Sequence, residues 1–236
     1  MLEAWGASLY DALIKDDIWK LYLKGLGKTV QIAAVAVLIG VVIGVLIAIV
    51  KVSAAQSKRS GAAHVLLKIA EAVCNLYLTV IRGTPVMLQL LIIYFSVFAS
   101  ASDGTFAAML GFGINSGAYV AEIVRSGIQS VSKGQTEAGR SLGLTAGMTM
   151  RLIVLPQAVK NILPALFNEF ITLLKETSVA GTIAVVELTK VSTNIKTIVW
   201  TMTPLYIVAL IYLTMVVLLG QVQKRLERRL AASDRR

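Results

Sequence analysis

From Leu26 to Val50 the chain is almost uncharged. At 1.5 Å per residue a helix of that length crosses an apolar layer of about 30 Å, so this stretch commits the chain to a membrane. The composition agrees: 56% of the 236 residues are hydrophobic and the mean hydropathy is +0.76, far from the balance of a soluble domain. A formal charge of +10 would suit nucleic acid. Here, however, the basic residues are spread over loops beside the apolar segments and over the C-terminal end, with no basic aromatic platform. That is the positive-inside pattern, and no nucleic-acid partner is expected. Cys74 alone excludes an intramolecular disulfide, and a single His excludes a multi-His metal site.

Taken in order, the apolar segments predict an all-α membrane protein of five transmembrane helices. Residues 1–25 mix Asp11, Lys15, Asp16, Asp17 and Lys20 with Tyr10, Trp19 and Tyr22, the pattern of an interfacial segment with no signal peptide. Within the first span, Gly40 and Gly44 allow close helix approach, more simply inside one subunit than between two. Lys51, Lys58, Arg59 and Lys68 then mark a cytoplasmic loop, so the N-terminus is expected outside and the C-terminus inside. The second span, residues 62–99, is interrupted at Arg82-Gly83-Thr84-Pro85, where proline removes an amide and favours a kink. Residues 106–123, 162–188 and 204–219 supply the third, fourth and fifth spans. The five-helix region covers 26–222 and a basic cytoplasmic tail 223–236. Gly27-Lys28-Thr29 imitates the end of a phosphate-binding loop, but position 22 is Tyr where a Gly is needed and no strand precedes it. ATP binding by this chain is therefore not expected.

Between the third and fourth spans lies a polar stretch rich in small residues, Ser132 to Pro156. Ser132 and Gln135 have the spacing of a capping box, which predicts a helix of about two and a half turns. Gly143 is placed to end it in the left-handed region. A second helical run, Met148 to Val154, is expected to stop before Pro156.

The order Glu137, Ala138, Gly139, then Gly143, Ile153, Leu155 and Pro156 resembles the EAA motif. That motif belongs to the membrane subunits, or permeases, of bacterial ATP-binding-cassette importers. The stretches RGTPVMLQLLIIYF, AYVAEIVRSGIQSV and FNEFITLLKETSVAGTIAVVELT resemble the polar amino acid branch, and the likeness covers roughly residues 24–222. Gly139 stands where Ala is usual. The resemblance implies a multi-pass protein of the bacterial inner membrane that is not an enzyme. ATP and Mg would be bound by two cytoplasmic ATPase subunits, contacted by a coupling loop within 126–160 that carries Glu137, Ala138, Gly139, Arg140, Gly143, Leu155 and Pro156. It also implies an extracellular or periplasmic amino-acid-binding protein and a second permease, identical or homologous, in a dimer.

Candidate substrate groups follow the same resemblance. Asn168, Glu169, Thr172, Lys175 and Glu176 recur at helical spacing and form one polar stripe on the fourth span. Charges at mid-bilayer are costly, so the stripe faces protein or water. Two readings stand: a Lys175 pair with Glu169 or Glu176 that ties helices together, or a wall facing substrate. In the second, Asn168, Glu169 and Thr172 bind substrate, and Glu169 suits a cationic amino acid. Arg82, Thr84 and Gln89 form a second group, with Arg82 either binding a substrate carboxylate or meeting lipid phosphate. Asn115, Tyr119 and Glu122 are weaker candidates, with Glu122 and Arg125 a structural pair. The competing functions are an ion-coupled secondary transporter or channel and a non-transporting membrane scaffold.

Overall fold

A computed structural model describes residues 2–56 and 61–232. Lys58 and Arg59 of the basic loop, and the tail from residue 233, lie outside the described residues. Within them the chain is helical, without a strand. Five stretches are long and apolar enough to cross a membrane: Lys15–Ala55, Ala62–Gly83, Thr105–Gln129, Ala146–Ile183 and Thr203–Ala232.

Helix α1 (Leu2–Leu13) is followed by a break in which Asp16 and Asp17 take φ of 52° and 58°. Helix α2 (Trp19–Gln56) then begins ahead of the expected boundary at Leu26. The left-handed pair therefore divides the N-terminal region, and the charged residues from Lys20 to Lys28 belong to the long helix. Helices α3 (Ala62–Gly83) and α4 (Val86–Val97) are separated by Thr84 at φ −122°, ψ 146°. This is the extended conformation that a following proline imposes. Helix α5 (Thr105–Gln129) leads to α6 (Lys133–Ser141), α7 (Ala146–Thr149) and a π-turn over Met150–Val154.

Helix α8 (Leu155–Glu176) does not continue to Leu188 as expected. It tightens into a 3-10 segment, Thr177–Ile183, capped by Ala184 at φ 62°. The hydroxyls of Thr177 and Thr182 donate to carbonyls three residues back, Leu174 O and Val179 O, and such local bonds favour the tighter turn. Helices α9 (Leu188–Val199) and α10 (Thr203–Ala232) complete the chain, α10 running well beyond Leu219.

Packing divides the chain into two compact units, Met1–Val37 with Pro85–Gly113 and Phe170–Gln221, and Leu38–Thr84 with Ile114–Glu169 and Val222–Arg236. In the first, Ile32, Leu90, Phe112, Leu173, Leu174 and Ile183 form a core shared by α2, α4, α5, α8 and the 3-10 segment. A second cluster joins Ala12, Tyr22, Leu188, Val191, Ile195 and Ile207. Leu188, Val191, Ser192 and Ile195 are the buried face of α9, at the spacing of an amphipathic helix. Gly104 is forced by contact: a Cβ there would lie 1.9 Å from the Ile183 carbonyl oxygen. Lys28 and Thr29 lie inside α2, where Lys28 Nζ donates to Thr105 at 3.3 Å and Thr29 Oγ1 accepts from the Leu188 amide at 3.3 Å.

In the second unit Ala48, Val120, Val124, Ala158 and Ile162 form the core. The glycine pair of α2 packs within the chain. A Cβ at Gly40 would sit 3.2 Å from the Gly117 amide, and one at Gly44 would sit 2.7 Å from the Ala121 amide.

Candidate functional site

Glu169, half-buried near the middle of α8, has a partner that its own neighbourhood in sequence does not suggest. Ser116 of α5, wholly buried, donates to Glu169 Oε1 at 2.8 Å. The serine has room because residue 40 is glycine; a Cβ there would lie 2.8 Å from Ser116 Oγ. One turn along α5, the ring of Tyr119 has the Arg82 guanidinium carbon 5.7 Å from its centroid, within cation–π range. Positions 116 and 119 share a helix face and differ by about 4.5 Å in rise. Helix α5 thus anchors a carboxylate from α8 and a guanidinium from α3 on one face. A carboxylate can take an ammonium or guanidinium, and a guanidinium can take a carboxylate in bidentate fashion.

The other expected substrate residues are placed as follows. Asn168 is exposed beside Glu169 on α8, and Thr84 is exposed at the helix break, its hydroxyl donating to Val80 O at 2.8 Å. With Arg82 and Glu169 they belong to the second unit. Gln89, buried on α4, and Thr172, half-buried on α8, belong to the first. So do Lys175 and Glu176. Lys175 lines a cavity of about 280 Å³ with Ser178, Thr189, Ser192 and Tyr212. Glu122 and Arg125 form the structural pair expected, Arg125 Nε donating to Glu122 Oε2 at 3.0 Å. Ser116 and Gly40 were not legible as partners of Glu169.

Glu187 carries no signal in the sequence either, because it falls inside what reads as a continuous span. It is fully buried as the N-cap of α9. Its carboxylate accepts from the amides of Lys190 at 2.6 Å and Thr189 at 2.8 Å, and from the Tyr212 hydroxyl at 3.3 Å. Burial pushes this carboxyl above the usual range, against the pull of those hydrogen bonds.

The polar stretch forms a compact, largely exposed turn. Ser132 caps α6, its Oγ accepting from the Gly134 amide at 3.3 Å, one position short of the amide expected for a capping box. At the other end Leu144 N donates to Gly139 O and Gly143 N to Arg140 O, with Gly143 at φ 84°. That pair of bonds is a Schellman motif. Glu137, Ala138, Arg140 and Ser141 are exposed, and Leu142 is 82% exposed. Gly139 is the buried residue of α6: a Cβ there would lie 2.7 Å from Ile153 Cδ1 and 3.0 Å from Thr149 Cγ2. It is a packing contact.

The expected stop before Pro156 does not occur. The Leu155 amide reaches Met150 O, a π-type bond, and α8 proceeds through Pro156. A proline inside a helix clashes with the carbonyl four residues back, and a widened turn relieves that clash. Gln157 Nε2 donates to Ile153 O at 3.0 Å in the same turn. Leu155 and Pro156 remain exposed where α8 begins.

The model of a family described as the binding-protein-dependent transport system inner membrane component matches residues 40–232. The chain belongs to that family. Among its relatives, the arginine transport system permease protein ArtQ of Bacillus subtilis is 36% identical over 216 residues, covering 90% of this chain and 93% of the relative. The L-cystine transport system permease protein TcyB of the same organism is 34% identical over 178 residues, covering 75% and 71%. A crystal structure of an amino acid ABC transporter with histidines superposes with a TM-score of 0.80 at 40% identity, covering 89% of this chain and 94% of that one. Two features of this permease stand out: Glu169 and Arg82, each held against α5, and the exposed α6.

Proposed function

We propose that this chain is the transmembrane subunit of an ATP-binding-cassette importer for amino acids, with cationic amino acids preferred. The observation that carries the reading is the Ser116–Glu169 hydrogen bond beside the Arg82–Tyr119 contact on one face of α5. Glu169 holds the side-chain ammonium or guanidinium of the substrate and Arg82 its carboxylate, with Asn168 and Thr84 beside them. Ser116 is a positioning residue that fixes which way the Glu169 carboxylate points. The names of the arginine permease and of the transporter with histidines support a cationic substrate; the cystine permease supports the broader amino acid class.

Helix α6 is the coupling element. Its exposed Glu137, Arg140 and Leu142, with Ala138 and Ser141 small enough for close approach, dock on a cytoplasmic ATPase subunit. Gly143, Gly139, Leu155 and Pro156 fix the angle at which that force reaches α8. ATP and Mg are bound by two such partner subunits. Substrate arrives from an external binding protein, and a second permease completes the pathway. The N-terminus lies outside and the C-terminus inside, in a bacterial inner membrane.

The test uses the permease purified with its ATPase and reconstituted in liposomes with the binding protein. Arginine, lysine or histidine stimulate ATP hydrolysis more than neutral amino acids do, and Glu169→Gln removes that difference. Equal stimulation by all classes in the unaltered complex would sink the cationic preference.

A further inference from the structure

The C-terminal end of α10 carries four cations, Lys224, Arg225, Arg228 and Arg229, all exposed. At about 100° per residue they fall at roughly 0°, 100°, 40° and 140° around the helix, a single sector. Glu227, the carboxylate in this stretch, lies about 60° outside that sector, three residues on from Lys224, and accepts from Gln223 Nε2 at 3.1 Å. Leu230, on the far side, lines a cavity of about 310 Å³ with Lys160, Asn161 and Pro164 of α8. The helix therefore turns one side to the protein and presents its cations away from it. Among the described residues none of the four enters an ion pair.

Earlier on the same sector of α10 come Leu210, Leu213 and Val217, exposed by 63%, 60% and 49%. An exposed apolar face thus runs straight into an exposed cationic one. From Lys224 to Arg229 the rise is about 7.5 Å, close to the depth of one headgroup layer. The geometry points to a binding face for anionic phospholipid, with acyl chains along Leu210–Val217 and phosphates on the four cations. A protein surface that matched the cations would not account for the apolar face that precedes them. The inference does not depend on which substrate is carried.

The experiment takes the permease–ATPase complex in detergent, supplies equal amounts of dioleoyl phosphatidylglycerol and dioleoyl phosphatidylcholine, and counts the lipids retained by native mass spectrometry. Basic residues at an anionic surface each contribute on the order of five-fold in partitioning. Unaltered complex is expected to retain roughly three-fold or more phosphatidylglycerol over phosphatidylcholine, falling as salt screens the contact. The variant K224Q/R225Q/R228Q/R229Q is expected to retain the two lipids equally, while Lys replacing all three Arg keeps the enrichment. No enrichment in the unaltered complex, or full enrichment in the fourfold variant, overturns the proposal. So does loss of the ATPase subunits from the variant with lipid retention unchanged, which would make the face a protein dock. If the fourfold variant does not assemble, K224Q/R225Q and R228Q/R229Q are measured separately. Each should lose part of the enrichment, and wild-type retention in both overturns the proposal.

Discussion

At Glu169 one oxygen is held by a buried serine, and that serine has its place because residue 40 lacks a side chain. Removing a hydrogen bond to a charged group costs about 1.5–3 kcal/mol. Ser116→Ala should therefore raise the half-saturating concentration of a cationic substrate by roughly ten-fold or more, with little change in its value for neutral amino acids. Ser116→Thr, which keeps the hydroxyl, should recover part of the loss. Concentration series of amino-acid-stimulated ATP hydrolysis measure both. Glu187 tests a different residue-scale property. Burial raises its carboxyl in the folded state, so the protonated fold is the more stable one. That contribution is fully present below the ordinary glutamate range and is lost as pH rises through the raised value. The melting temperature of the purified complex should fall across that window, and Glu187→Gln should flatten the fall. A parallel decline in both proteins would remove burial of this carboxyl as its cause.

Among the elements, α6 was the most legible, because its limits are written in adjacent residues. Ser132 caps it and Gly143, at φ 84°, ends it, and both roles depend on backbone geometry within a few positions. The break at Thr84-Pro85 was legible for the same reason. What was hidden depended on contacts or on competition between turns: the π-turn before Pro156, the 3-10 segment after Glu176, and the packing role of Gly139 against Ile153. A side chain at position 143 must adopt the left-handed conformation, at about 1–2 kcal/mol. Gly143→Val is expected to leave the permease inserted and bound to its ATPase but to lower transport per ATP hydrolysed. Glu137→Lys should do the same by reversing a docking charge. Liposome assays that record both hydrolysis and uptake decide this, and unchanged coupling in both variants would remove α6 as the transmitting element. Gly139→Ala is expected to be nearly neutral. The helix gains up to about 1 kcal/mol, offset because the δ-methyl of Ile153 must shift aside and the buried Thr149, whose Cγ2 would lie 3.0 Å from the added Cβ, must give way slightly.

For the whole molecule, the apolar lengths carried the count of five spans, since a stretch that crosses lipid must be long and apolar throughout. The candidate site was less legible. Ser116 and Glu169 stand 53 residues apart, and nothing local to either announces the other. Sidedness is open to a direct measurement. In a Cys74→Ser background, Leu142→Cys should react with a membrane-impermeant maleimide only in inside-out vesicles, and Trp200→Cys, at a site 89% exposed, only in right-side-out cells. The reverse pattern would invert the assigned orientation. The widened turn at Met150–Val154 has a consequence for the machine as a whole. Relative to a regular helix it takes up a surplus residue, so the helix on either side keeps its phase. Deleting Leu152 would return the turn to regular helix and leave α6 aimed much as it is. Deleting a residue from the regular turns of α8 beyond it, where each residue advances the phase by about 100°, would swing α6 by more than a quarter of a circle about α8. Helix α6 would keep its own sequence and caps and still be aimed away from its partner.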